Sequence, residues 1–356
     1  MTGIFEDLST LGHEQVCFFH DKETGLKAII GIHSTVLGPA LGGCRMWKYA
    51  SEQEALKDVL RLSRGMTYKA AVAGLKLGGG KAVIIGDARA DKNEKLLLAF
   101  GKAVQSLNGR YITAEDVGMT VKDIDTMRTV CDSAVGGSNE GGSGDPSDMT
   151  AFGTFRGMKA ALKFAGMGES FEGIKVAVQG VGNVGYHLCS YLSAAGAKLV
   201  VTDIYPEQLK KVQEQFGATV VAPDEIYSTD CDIFSPCALG AILNSRTIPM
   251  LKCKIVAGSA NNQLEANEDG IELFKKGVVY APDYAINAGG LINVAAELDG
   301  YNKEAVVSKV TKVYDTILDV LETSKNKAIP PHEAADALAE QKLAAKKSVD
   351  RAFAPV

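Results

Sequence analysis

Lys175-Val176-Ala177-Val178-Gln179-Gly180-Val181-Gly182-Asn183-Val184-Gly185 is the stretch on which the fold turns. A short valine-rich run reads as a buried strand, and G-x-G-x-x-G follows it at once. The residues that follow, through Tyr191 and Ala195, read as a helix. The next expected strand, Lys198-Leu199-Val200-Val201-Thr202-Asp203, ends on an acid. Strand, glycine turn, helix and an acid about 20 residues on form the pattern of a dinucleotide site. The helix start offers unpaired N–H groups and a positive dipole to a pyrophosphate. The expected cofactor contacts are therefore Gly180, Gly182, Asn183, Val184 and Gly185, with Asp203 accepting from the adenosine ribose hydroxyls. Ile204, Tyr205 and Pro206 include no arginine for a 2′-phosphate, so NAD is expected rather than NADP.

Outward from that stretch, strand candidates recur at Thr219–Val221, Asp232–Phe234, Ile255–Ala257 and Val278–Tyr280, several with helices between them. Alternation of this kind predicts a doubly wound parallel sheet. Helices are expected over 150–165, 302–323 and 332–352. The amino-terminal part reads as mixed α and β. Phe18–His20 and Leu26–His33 look like strands, and a helix starts at Ser51 with Glu54 in capping-box position. A further helix is expected over 94–107 and a strand over Arg110–Thr113. Residues 136–147 are rich in Gly and Ser, as domain boundaries and surface loops are. The expectation is an α/β protein of two domains. Residues 1–140, joined by about 331–356, form a catalytic and oligomerisation domain, and 141–330 form a Rossmann NAD-binding domain.

A second informative run is Met66-Thr67-Tyr68-Lys69 followed by Gly74-Leu75-Lys76-Leu77-Gly78-Gly79-Gly80-Lys81-Ala82-Val83-Ile84-Ile85. The triple glycine reads as a turn that admits a small ligand close to the backbone. A lysine on its rim would then meet that ligand with little water present. A desolvated ammonium near a second cation loses proton affinity, which suits a base near neutral pH. Lys81 is the expected base and Lys69 the expected anion holder. Lys76 is read as a solvated surface charge.

Composition bounds the remaining possibilities. The chain has 356 residues, 46% hydrophobic and 23% charged, with a formal charge of -5 and no block of like charges. Neither nucleic-acid nor anionic-membrane binding is expected. The start, Met1-Thr2-Gly3-Ile4-Phe5-Glu6-Asp7, carries acids where a secretory signal carries bases, so a cytoplasmic protein is expected. Seven cysteines without a C-x-x-C pair read as reduced, packed thiols, and five scattered histidines predict no metal site and surface or core-edge roles.

The chain resembles the amino-acid dehydrogenase family that acts on glutamate, leucine, phenylalanine and valine, and leans to its leucine-acting branch. The resemblance runs through Leu41–Trp47, Met66–Lys69, Leu77–Lys81, Ile112–Gly118, Gly258–Gln263 and Tyr284–Gly290. It implies reversible oxidative deamination of an L-amino acid to a 2-oxo acid and ammonia, in a homo-oligomer for which an octamer is one candidate. It implies that Lys69 holds the substrate carboxylate, that Lys81 activates water, and that Asp116 exchanges protons with the substrate nitrogen and offsets positive charge. Ser147, Thr150, Asn262 and Asn287 would position cofactor and substrate. Leu41, Gly42, Met66, Ala114, Leu291 and Val294 would surround the substrate. That lining is apolar, so leucine, isoleucine and valine are the expected substrates. Methyl-sized differences separate substrates by only about 1–3 kcal/mol. Asp145 and Leu291 depart from the family pattern and bear on cofactor and substrate preference. A phenylalanine- or valine-preferring enzyme is the alternative within the class. A non-catalytic NAD-binding regulatory protein and a structural assembly subunit are the alternatives outside it.

Overall fold

Valine and isoleucine runs in the carboxy-terminal part form strands buried on both faces, as a parallel sheet covered by helices requires. The computed structural model describes residues 3–138 and 142–347, in two compact units. The first comprises 1–145, 294–302 and 339–356. The second comprises 146–293 and 303–338. Residues 139–141 of the expected glycine-rich segment and 348–352 of the expected last helix lie outside the described residues, as do Met1 and Thr2.

In chain order the first unit contains α1 (Ile4–Leu11), β1 (Gln15–Asp21), β2 (Leu26–Ser34), β3 (Ala40–Trp47), α2 (Glu52–Val72), β4 (Gly78–Ile85), α3 (Glu94–Gln105), β5 (Tyr111–Glu115) and α4 (Val121–Arg128). Its sheet runs β1-β2-β4-β3-β5, with β1/β2 and β2/β4 antiparallel and β4/β3 and β3/β5 parallel. Ile30, Ile32, Ile84, Phe100, Tyr111 and Met127 pack on the face covered by α3 and α4. Ile29 and Val83 pack on the other face with Ala55, Val59 and Leu60 of α2.

Two expectations change here. The triple glycine is not a turn. Gly78, Gly79 and Gly80 are the first residues of β4, buried and without positive φ. A Cβ on Gly79 would collide with the backbone N of Thr67, so glycine is needed there for α2 to lie close on the sheet. The second change is β3, which carries Leu41-Gly42-Gly43 and did not read as a strand because two glycines weaken strand propensity.

The second unit contains α5 (Ser147–Phe164), β6 (Lys175–Gln179), α6 (Asn183–Ala194), β7 (Lys198–Thr202), α7 (Pro206–Phe216), β8 (Thr219–Val220), β9 (Ile233–Pro236), β10 (Ile255–Val256), α8 (Asn267–Lys275), β11 (Val279–Tyr280), α9 (Asp283–Ile286), α10 (Gly289–Ala295), α11 (Lys303–Thr311), α12 (Val313–Lys327) and α13 (Pro331–Lys347). The last residues of α10 and of α13 count with the first unit. The sheet order is β11-β10-β9-β6-β7-β8, parallel throughout. Strand order reverses between β6 and β9, which is where such sheets bind nucleotides. The single helix expected over 302–323 is two, parted at Lys312.

Candidate active site and cofactor cradle

Side chains alternate across a strand, so Gly79, Lys81 and Val83 of β4 share the face covered by α2. Lys81 is only 5% exposed. Its Nζ donates to Asp116 Oδ2 at 3.0 Å. Asp116 follows β5 directly and approaches β3 closely: a Cβ on Gly43 would come within 2.9 Å of the Asp116 Cβ. From β3, Arg45 Nε donates to the same Oδ2 at 2.9 Å. Burial pushes the Asp116 carboxyl up, but Lys81 and Arg45 outweigh it and hold the group below the usual carboxylate range. The arrangement is a buried cation paired with a carboxylate that stays ionised. Glu115 next door shifts the other way, raised by burial and by the nearby Asp145 and Asp116 carboxylates.

Apart from Val294 on α10, the other residues expected around the substrate in this unit lie on the same elements. Lys69 is in the last turn of α2, three residues after Met66. Met66 Cγ would lie 3.3 Å from a Cβ on Gly42. The Gly42 carbonyl accepts from the Tyr111 hydroxyl at 2.5 Å. Leu41 is buried and pairs in register with Gly79 on one side and Ile112 on the other. Ala114 is opposite Gly43. Val294 is buried in this unit. The carboxy-terminal chain secures the end of α2 that carries Lys69. Lys342 Nζ donates to the carbonyls of Ala71 and Val72 at 3.0 and 3.1 Å, and the Tyr68 hydroxyl donates to Glu340 at 2.8 Å.

Four residues that sequence reading missed, Arg45, Asp58, Tyr49 and Arg61, complete the network. Arg45 Nη1 donates to Asp58 Oδ2 at 3.0 Å, Tyr49 donates to the same oxygen at 2.8 Å, and Arg61 reaches Asp58 Oδ1 at 3.1 Å. A lone arginine has no spacing signature. The only available signal was its position two residues beyond Gly43, hence on the same strand face. Glu297 was missed too. One of its oxygens accepts from the backbone N–H of Gly136 at 2.9 Å and of Ser143 at 2.6 Å, so a single carboxylate ties two points of the glycine-rich segment.

In the second unit the glycine motif closes the end of β6. Gly180 has φ +93°, a conformation that L side chains avoid. A Cβ on Gly185 would meet the Gly180 carbonyl, whereas one on Gly182 would have nothing within 4 Å. The turn is therefore packed on its inner side and open at Gly182. Asn183 and Val184 open α6, whose start has no side-chain cap. Asp203 Oδ2 accepts from Val181 N at 2.7 Å and Oδ1 from Tyr205 N at 3.0 Å. Asp203 is thus fixed against the glycine turn. An uncapped helix start, an open backbone and a fixed acid fit a dinucleotide.

Ser147 is buried at the start of α5, and the Thr150 hydroxyl donates to the Pro146 carbonyl at 2.9 Å. Asn287 is buried, and its amide donates to the Ser259 carbonyl and to Asn261 Oδ1. This holds the loop in which Asn262 is exposed at φ +51°. Leu291 is half-buried on α10. All seven cysteines are free thiols. His33 departs from the expected core-edge role: it is buried, with Nδ1 2.8 Å from the Thr67 hydroxyl and Nε2 3.1 Å from the Leu11 carbonyl. Among the described residues no group of His, Cys, Asp or Glu could hold a metal ion, and no helix is long and apolar enough to cross a membrane.

Comparison with known proteins accords with this geometry. Residues 13–133 match the model for the Glu/Leu/Phe/Val dehydrogenase dimerisation domain. Residues 141–205 and 202–350 match that for glutamate/leucine/phenylalanine/valine dehydrogenase. The chain is 57% identical to leucine dehydrogenase of Bacillus cereus, over 97% of this chain and 94% of that protein. It is 58% identical to leucine dehydrogenase of Geobacillus stearothermophilus, over 96% and 93%. The crystal structure of L-tryptophan dehydrogenase from Nostoc punctiforme matches with a TM-score of 0.87 and 48% identity, over 97% of this chain and 99% of that one.

Proposed function

This chain belongs to the Glu/Leu/Phe/Val dehydrogenase family, and from that premise we propose that it catalyses the NAD-dependent, reversible oxidative deamination of leucine, isoleucine and valine to 2-oxo acids and ammonia. The observation that carries the reading is the buried Lys81–Asp116 pair at 3.0 Å on the sheet face covered by the helix of Lys69. When bound, NAD supplies the acceptor for the hydride of the substrate Cα.

The chain's own groups do the rest. The Lys69 ammonium holds the substrate carboxylate and so fixes Cα. Asp116 receives both of its cations on Oδ2, so Oδ1 is the oxygen assigned to a proton from the substrate amine. Loss of that proton frees the nitrogen lone pair that drives oxidation at Cα. Lys81 Nζ, once it has given up its own proton to solvent, then takes a proton from the water that adds to the iminium carbon. Return of the proton from Asp116 to nitrogen, and loss of the hydroxyl proton to the carboxylate so freed, let ammonia leave and the 2-oxo acid form. Asp116 also balances the positive charge that the two lysines and the iminium bring together.

Branched aliphatic substrates follow from the apolar Leu41, Met66, Ala114, Leu291 and Val294, none of which offers a counter-charge for a glutamate side chain. Identity to leucine dehydrogenases of 57–58%, against 48% to the tryptophan enzyme, supports an aliphatic over an aromatic preference. NAD is preferred over NADP because the Asp203 carboxylate opposes a 2′-phosphate and the exposed Ile204 and Tyr205 offer no cation. A homo-oligomer, with an octamer as the candidate assembly, is part of the same reading, and the dimerisation-domain match supports self-association. Its free thiols suit the reducing cytoplasm.

Lys81→Ala tests the chemistry. Turnover should fall by at least about 1,000-fold, within the range of a lost acid–base group, with NADH affinity by fluorescence titration unchanged. Turnover within about tenfold of the parent would remove Lys81 from this role.

A further inference from the structure

We propose that Arg45 is a positioning residue for Asp116, and that Asp58 and Tyr49 lock Arg45 in the orientation that serves it. The inference rests on the role given to Asp116 above. A guanidinium is a planar fork that can meet two carboxylates at fixed angles, whereas a lysine ammonium is a single point of charge. Arg45 uses both prongs: Nε meets Asp116 at 2.9 Å and Nη1 meets Asp58 at 3.0 Å. Asp58 in turn accepts from Tyr49 and Arg61, so the outer end of the chain of contacts is tied at three points.

Asp116 also faces Lys81 on β4, Cys44 on β3, and Tyr111 and Glu115 on β5. Of these only Lys81 is cationic, so without Arg45 the ionised carboxylate depends on Lys81 alone. It would then gain proton affinity and could turn toward Lys81, losing the aim of Oδ1. The outer side of Arg45 borders a cavity of about 450 Å³ that Trp47, Tyr49, Asp58 and Arg61 also line. A small cation can therefore reach the place the side chain leaves.

The test is the pH dependence of kcat/KM for leucine with the full-length protein. Arg45→Ala should lower kcat by about tenfold or more. Its acid limb should move up by about half a pH unit or more, because one of the two cations on Asp116 is gone. NADH affinity should not change. Millimolar guanidinium should restore part of the loss and move the limb back. Arg45→Lys should hold the limb near the parent's while kcat stays low. Asp58→Asn should produce a smaller loss of the same kind, and combining it with Arg45→Ala should add nothing further. If Arg45→Ala does not fold, Arg45→Lys and Asp58→Asn carry the test. An unmoved acid limb, absence of guanidinium rescue, or additive losses would each overturn the proposal. Asp116→Asn separates the two readings. Full activity in that variant removes the role of Asp116 itself, whereas an inactive Asp116→Asn beside a fully active Arg45→Ala removes only the present inference.

Discussion

Asp116 shows how one side chain links chemistry to stability. Lys81 and Arg45 hold its carboxyl below the usual range against the opposing effect of burial. A carboxyl whose pKa is lower folded than unfolded adds stability that is fully present above its unfolded value of about 3.9, and that stability is lost as pH falls through the folded value. The melting temperature should therefore drop as pH falls below about 4, and Asp116→Asn should make that drop shallower. An unchanged slope would mean that this pair does not contribute to acid lability. Asp203 is the matching residue in the second unit. Its bond to Val181 N ties the residue proposed to read the ribose to the glycine turn. Asp203→Ala should weaken NAD binding by about tenfold, the loss of a charge-assisted hydrogen bond, and narrow the preference for NAD over NADP. Calorimetric titration with both cofactors checks this, and equal affinities before and after substitution would place the ribose elsewhere.

At the scale of elements, α2 carries much of the site. Ser51 caps its start, Asp58 anchors Arg45, Met66 lies over Gly42, and Lys69 sits in its last turn. This helix was legible because apolar residues recurred at helical spacing behind a capping serine. β6 was legible for a similar reason, as an uninterrupted apolar run against a glycine motif. β3 and the start of β4 were not, because glycines there serve close packing with α2 and with Asp116, and a residue without a side chain leaves no periodicity to read. Lys69, Lys81 and Asp116 were singled out from the sequence, whereas Arg45, Asp58, Tyr49 and Glu297 depend on contacts between distant segments. Glu297 gives the prediction at this scale. Glu297→Ala removes the acceptor shared by Gly136 and Ser143, so both amides should exchange with deuterium about tenfold faster or more. Unchanged exchange would show that other contacts hold the segment.

Across the whole molecule, the two units divide the work by chemistry. The first pairs Lys81 of its mixed sheet with Asp116 and carries Lys69 in the last turn of α2, the helix that covers that sheet face. The parallel sheet of the second places its glycine turn beside the point where strand order reverses. Family membership joins these into the account proposed above, in which the two lysines and the aspartate bind the amino acid and move its protons, and NAD held by the second unit would accept the hydride. The most direct test is initial-rate NADH or NADPH formation at mildly alkaline pH with leucine, isoleucine, valine, phenylalanine and glutamate, each with NAD and with NADP. The account predicts turnover of the three branched substrates with NAD, and far lower kcat/KM for phenylalanine, for glutamate and with NADP. No turnover with any of the five would contradict it and leave only dinucleotide binding.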